Sequence, residues 1–481
     1  MMDDAYSLDL LYADEYVPEE LYRFVRDGLS SQLDARLHQL SNPIKYLISV
    51  TWHGQEKLSL LMVAALNGHD DIVRILFTHC DPIRQVELKG RVILYNTTRT
   101  RCVTALYCAC YRGHFNVAKT LIEFGQANVR HSTRDYSNCP LLIHAISQNR
   151  QDIIEFLLKN KYADVNQIES CYAYKLTPLI WVAMQGRASL VKCLLENGAD
   201  LNYSLRGSTA IMYAIQHDHL DVFRLLYDAG ANIDNPNQTG DTLLVIAAKY
   251  KSHSIVRFLL EQSRINHNVD DLEFSACCLF DIECSHEHIN VIFDLLRTAL
   301  QRRQLLQIPK VCIQSMDIYD NQQECQTMDE LDRIKTDRDR IFIETLLIQE
   351  RLSTSEKYKS IMASLEKYGY RLMDKKEFDK CCDLYIHMFY LNQRMNMYEN
   401  LIRFICLFRR MFAENQIISI HRFLQVCYLT HELKTDEYIE ITIFSILRLV
   451  IIAAKVNILL IVRPTEFQDY LFTRRFLNRK G

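Results

Sequence analysis

A recurring phrase constrains this chain more than any other feature. Residues 58–80, LSLLMVAALNGHDDIVRILFTHC, hold a short apolar helix with paired small residues, then Gly-His, then a second helix rich in Ile, Val and Leu. Its inner-helix part starts at Ser59 (SLLMVAALNGH) and recurs at Thr104 (TALYCACYRGH), Pro140 (PLLIHAISQNR), Thr177 (TPLIWVAMQGR), Thr209 (TAIMYAIQHDH) and Thr242 (TLLVIAAKYKS). An outer helix follows each: DIVRILF, NVAKTLI, DIIEFLL, SLVKCLL, DVFRLLY and SIVRFLL. One such pair cannot bury its own apolar face, so the recurrence predicts a stack of helix pairs.

The last three openings lie 32 and 33 residues apart, which is the ankyrin period. Turns GADLN (198–202), GANID (230–234) and YADVN (162–166) close three repeats as hairpins. Ala64, Ala109, Ala145, Ala214 and Ala247 are small where inner helices must stack closely. Asp70, Asn116, Asp152 and Asp221 fall near outer-helix starts, where an acceptor or negative charge suits free N–H groups. Residues 20–40 have the same rhythm without the signature and read as an N-terminal cap. The first two openings are 45 apart, so the extra residues 81–101 are expected to project as a long hairpin or loop. Insertions of this kind often sit on a solenoid's binding face.

After Ile265 the phrase stops, but helical patterning continues. Residues 329–352 alternate charge with an apolar stripe, 357–395 read as a tetratricopeptide-like pair turning at Asp374–Glu377, and 399–412 extend it. The fold class is therefore an all-α repeat solenoid: cap helices over 1–51, ankyrin repeats over 52–268, and a tetratricopeptide-like helical domain over 269–481.

A hydrophobic content of 49% with 24% charged residues suits a chain that buries a core. Net charge is −3, which gives no global case for nucleic acid. Sixteen cysteines occur without a CxxC pair, and the start MMDDAYSLDLLYADEY lacks the order of a signal peptide. A reducing cytoplasmic location, or a nuclear one, follows as the expectation. The apolar run 441–463 contains Arg448 and Lys455 and is read as a buried helix rather than a membrane span. Nucleophile elbow, P-loop, HExxH and GxGxxG are all missing. His286 and His288 read as polar loop residues, and Cys108 and Cys110 as core fillers. No catalytic residue, cofactor or metal site is expected, and the chain reads as non-catalytic.

Binding is what such a stack offers. The pair after each small inner-helix stretch is variable: Leu66/Asn67, Tyr111/Arg112, Ser147/Gln148, Met184/Gln185, Gln216/His217 and Lys249/Tyr250. Aromatic and Arg side chains are common anchors, which singles out Tyr107, Tyr111, Arg112, Tyr136 and Trp181. Tyr107 and Trp181 fit helix packing equally well. Arg112 and Gln148 fit a core poorly. These helix pairs carry no carboxylate, so a basic ligand head would need one from a turn, for instance Asp135.

A cap, ankyrin repeats with a long early insertion, and then ECQTMDELDRIKTDRDRIFIETLLIQERL (324–352) together resemble the Fem (feminisation) family, whose members carry "EC…ELE.I..DRD.....LLIRERI" there. KEFDKCCDLYIHMFYLNQR (376–394) resembles the family's "F..CI.LW..AL...Q". The resemblance implies a substrate receptor of a cullin-RING ubiquitin ligase, whose ankyrin groove captures the extreme C-terminus of target proteins. It further implies an elongin–cullin box near the receptor's own C-terminus. Lys89 and Gln148 stand where family members place acidic side chains against a terminal Arg, so a different C-terminus is expected here. Tyr107 replaces the family's inner-helix Trp and keeps an aromatic wall. No convincing box precedes Gly481, so the expectation is a fragment or a receptor without that arm. The alternative is an ankyrin scaffold with no ubiquitin role.

Overall fold

The computed structural model describes residues 16–93, 100–129, 141–168, 176–262, 267–280, 285–353, 358–394 and 402–414, with isolated positions to 426. The chain divides into two compact units, Met1–Gln238 and Thr239–Gly481.

In the first unit, helix 16–26 pairs in sequence with Ser30–Gln39, and inner and outer helices then alternate. The inner helices are Leu60–Asn67, Ala105–Arg112, Leu141–Ser147, Pro178–Met184 and Ala210–Gln216; the outer ones are Asp70–His79, Phe115–Glu123, Gln151–Lys159, Ala188–Glu196 and Leu220–Asp228. Ser59 and Thr177 start their helices by accepting from the amides of Met62 (3.2 Å) and Ile180 (3.4 Å). Each inner helix ends on a left-handed residue: Gly68, Gly113 and Gly186, with Asn149 and Asp218 where Gly is absent. Leu60 through Ala65 are all buried, and Ala64, Ala109, Ala145 and Ala214 have no exposed surface. The inner helices are therefore buried nearly all round, whereas the outer ones bury a single stripe.

The residue after each left-handed stop bolts one repeat to the one before. His114 Nε2 reaches the Leu66 carbonyl at 3.1 Å, Arg150 Nη2 the Tyr111 carbonyl at 3.0 Å, Arg187 Nη1 the Ile146 carbonyl at 2.6 Å, and His219 Nε2 the Met184 carbonyl at 3.1 Å. His69 makes the same bond to the Arg26 carbonyl at 3.2 Å. Each gives a carbonyl at the end of the preceding helix pair's first helix a side-chain donor, and the Ile146 carbonyl accepts from the Asn149 amide as well. This explains why the residue preceding the outer helix makes no side-chain cap there: its side chain is committed to the neighbouring repeat. The acidic residues Asp70, Asp152 and Asp221 lie in the first helical turn instead.

A second ladder joins the turns. Asn166 Oδ1 accepts from the Asp200 amide (2.7 Å), and Asn202 Oδ1 from the Asn232 amide (2.9 Å). Within the turns, Asp164 and Asp200 accept from the amides of Asn166 and Asn202, each at 2.9 Å.

The long interval between the first two signature repeats contains helix Pro82–Val86 and part of a four-stranded antiparallel sheet. Strands β1 (Thr51–His53), β2 (Glu56–Leu58), β3 (Gly90–Ile93) and β4 (Thr100–Val103) pair in chain order. Lys57 lies opposite Arg91, and Gly90 opposite Val103. A Cβ at Gly90 would run into the Lys57 carbonyl oxygen and the Met62 side chain. Only glycine admits that approach, and it fixes where Lys89 stands.

The second unit is helical throughout its described length: Leu243–Lys249, His253–Glu261, Val269–Leu279, His286–Leu305, Met328–Ile334, Arg338–Arg351, Tyr358–Asp374, Phe378–Arg394 and Ile402–Ala413, plus a 3-10 turn at Asp317–Tyr319. His286 and His288 open a helix capped by Ser285, correcting their reading as loop residues. The 324–352 segment is structural. Thr327 and Glu330 form a reciprocal capping box, and Asp337 caps the next helix. Four of its charged residues enter a buried network. Arg351 meets Glu324 (2.9 Å) and Glu273 (2.9 Å), Arg303 meets Glu273 (2.8 Å), Lys310 meets Glu324 (3.2 Å), and Arg340 meets Glu344 (3.1 Å). Glu344 also accepts from the Cys325 amide at 2.9 Å. Three buried carboxylates are thus met by four cations, and burial of charge on this scale is tolerated only when it is so paired.

Among the described residues no helix is long and apolar enough to cross a membrane. Segment 441–463 lies outside them.

Candidate functional site

In the first unit the variable pairs stand at the inner-helix ends with a repeating exposure. Leu66, Tyr111, Ser147, Met184 and Gln216 are half-buried, while Asn67, Arg112, Gln185 and His217 are exposed and Gln148 is half-buried. The residues before them are closely packed, so the chain presents variable side chains at one register position of each repeat.

Tyr107 and Tyr111, one helical turn apart, have different roles. Tyr107 is 4% exposed, its hydroxyl is 3.0 Å from His144 Nδ1, and the two rings stack at 4.0 Å. Tyr111 is half-buried with its ring 6.0 Å from that of His144, and the Arg112 guanidinium lies 5.8 Å from its centroid. The result is a continuous run from a buried ring, through His144, to an exposed cation. That surface can stack on a planar or apolar group and offer a positive charge beside it.

Lys89 and Tyr107 line one shallow cleft with Cys102, Val103, Thr104, Leu106, Asn128, Val129 and Leu141. Its enclosed part has room for about one water molecule. Lys89 and Thr104 are lining residues that carry an ammonium and a hydroxyl, and Glu87 accepts from the amide of the lining residue Asn128 at 2.8 Å. Gln148 follows the next inner helix, with its amide 3.4 Å from Ser147 Oγ. Trp181 is half-buried on the inner helix after that. Asp135 and Tyr136 lie outside the described residues.

His144 is the member of this surface that sequence reasoning missed. It stands four positions after Pro140, as Trp181 stands four after Thr177 and Tyr213 four after Thr209. Comparing that column across repeats would have found it. Cys108 and Cys110 have no exposed surface. Burial pushes both thiols up, that of Cys110 to about 12, so neither is a nucleophile near neutral pH.

Comparison with known proteins places residues 61–169 and 167–237 in a family model of ankyrin repeats (three copies), and 239–272 in a single ankyrin repeat. The ankyrin repeat and SAM domain-containing protein 6 of Rattus norvegicus is 31% identical over 160 residues, 32% of this chain and 18% of that protein. The potassium channel AKT2/3 of Arabidopsis thaliana is 28% identical over 159 residues, 33% of this chain and 18% of that protein. The E3 ubiquitin-protein ligase XBAT32 of Arabidopsis thaliana is 37% identical over 95 residues, 19% of each chain. The matched segment covers less than a third of these relatives. Among solved structures, the ankyrin repeat domain of Bcl-3 aligns with a TM-score of 0.41 at 21% identity, over 49% of this chain and 97% of that one. The human ASB11 ankyrin repeat domain aligns with a TM-score of 0.35 at 23% identity, over 47% of this chain and 90% of that one.

Proposed function

With residues 61–272 matching ankyrin repeats as the premise, we propose that the chain is a protein-recognition subunit whose inner-helix face holds the C-terminal end of a partner protein. The observation that carries this reading is the cleft lined by both Lys89 and Tyr107, with half-buried Tyr111 and exposed Arg112 one turn further along the Tyr107 helix. A free carboxylate is the peptide group an ammonium and a guanidinium recognise best. The same two cations disfavour a terminal Arg or Lys. The preferred end is therefore neutral or acidic in its last side chain.

The finer reading is that this recognition serves a cullin-RING ubiquitin ligase. Its support is the resemblance of the 324–352 segment to the Fem family. A receptor of this kind makes no bond itself; it raises the effective concentration of substrate beside the enzyme carrying ubiquitin.

The test is a pull-down of the purified chain against peptides differing only at their C-termini, with elongin–cullin as a second bait. Selective retention of one class of free C-terminus supports the receptor reading, and co-retention of elongin–cullin supports the ligase role. Equal retention of internal and terminal sequences favours a plain ankyrin scaffold.

A further inference from the structure

We propose that Asp34, His38 and His79 form a binding site for a divalent transition-metal ion of the zinc type, stapling the N-terminal cap to the first signature repeat. Asp34 and His38 lie four residues apart on helix Ser30–Gln39, hence on one face, and His79 ends helix Asp70–His79. One ligand atom from each lies within 4.8 Å of those from the other two. His79 Nε2 is 2.9 Å from Asp34 Oδ1, and the two imidazole rings meet edge to face at 4.6 Å. Ligands on a tetrahedral zinc at about 2.0–2.1 Å stand about 3.3 Å apart, so adjustment of exposed side chains closes the site.

The side-chain arrangement suits a metal. His38 Nδ1 lies 2.9 Å from the Asp34 carbonyl oxygen and 3.5 Å from Asp34 Oδ1, so the ring is held against the carboxylate by a contact of the kind that orients ligating histidines. Side-chain exposure is 12% at His79, 44% at Asp34 and 68% at His38, which holds one ligand firmly and leaves an open side for water. Two imidazoles and a carboxylate favour zinc, nickel or copper over magnesium or calcium. This site lies outside the peptide-binding surface and does not rest on it. The competing account is a plain His79–Asp34 hydrogen bond between helices, which needs no ion.

The test uses the full chain, stripped with chelator and titrated near neutral pH with Co2+ and Zn2+, beside His38→Asn and Asp34→Asn. His38 is exposed, so its replacement leaves the fold intact, which circular dichroism checks. The proposal expects one more bound equivalent in the unaltered chain than in either variant. It also expects a Co2+ spectrum for that equivalent without thiolate charge transfer, which separates it from the cysteines. Removing one ligand should weaken that site by about tenfold or more, since loss of an outer-shell partner alone costs 10–100-fold. Zn2+ should raise the melting midpoint of the unaltered chain and not of His38→Asn. Equal stoichiometry and equal melting shifts in all three proteins, or thiolate bands on the disputed equivalent, overturn it.

Discussion

His114 reaches back 48 residues to the Leu66 carbonyl at 3.1 Å, and its ring lies where a Cβ on Gly68 would collide with it. Gly68 is left-handed for the helix stop and bare for the neighbouring ring. One glycine thus serves both local geometry and inter-repeat packing.

Replacing His114 with Ala leaves that helix-end carbonyl without its partner and should destabilise the protein by about 1–2 kcal/mol. Gly68→Ala should be worse, because it adds left-handed strain to a collision. Combined, the two substitutions should be less than additive, since removing the ring relieves the clash. Denaturant titration of the four proteins checks this, and strict additivity would contradict the bolt.

The two tyrosines of the Thr104 repeat should separate cleanly. Tyr111→Ala and Arg112→Ala are expected to weaken peptide capture with little change in melting midpoint, because both sit at the rim. Tyr107→Phe removes the partner hydroxyl at His144 Nδ1 and should destabilise by about 1 kcal/mol. A melting loss at Tyr111 matching that at Tyr107 would place both in the core.

The buried network in the second unit should answer strongly to half-removal. Arg351→Met leaves Glu324 with Lys310 and Glu273 with Arg303 as their remaining cations, and is expected to destabilise that unit by up to about 3 kcal/mol, read from its unfolding transition.

Acid should act on the same unit. Burial alone would raise Glu273, but Arg303 and Arg351 outweigh it and hold the carboxyl below its ordinary value. Asp339 is held down by Lys375, with Arg371 adding to the effect. A carboxyl depressed in the folded state contributes stability above its unfolded pKa and loses it as pH falls through the folded one. Buried Glu344 is raised by burial and runs the other way, favouring folding as it protonates. Stability should therefore fall once pH drops below the ordinary carboxylate range, and Arg351→Met should flatten that fall; an unchanged slope would count against the network.

Thiol labelling under native conditions should mark Cys406, which is exposed, well before Cys108, Cys110, Cys381 or Cys382, which are buried. Mass mapping of the alkylated chain reads the order.

Much of the fold was legible because it is periodic. The Thr/Ser openings, the small pair and the apolar outer stripe recur at fixed offsets, and the turn at Asp374–Glu377 falls between helices Tyr358–Asp374 and Phe378–Arg394. What stayed hidden depends on distant partners. The left-handed stop and the His or Arg after it are visible as a dipeptide, but the carbonyl that side chain serves lies 35 to 48 residues earlier in the chain. Asp34 and His79 are 45 residues apart, so no local spacing announced them. Tyr107 and Tyr111 look alike in sequence, and only the position of His144 makes one a core residue and the other a surface one.

In the proposed function, Lys89 and its neighbours read a free C-terminus. The most direct measurement takes the tightest peptide from the terminal library, as acid and as amide, against the unaltered chain and Lys89→Ala. Amidation should weaken binding to the unaltered chain by about tenfold or more, as expected for loss of a charge-assisted bond, and should matter far less in Lys89→Ala. Equal affinity of acid and amide for the unaltered chain would rule out carboxylate recognition at Lys89.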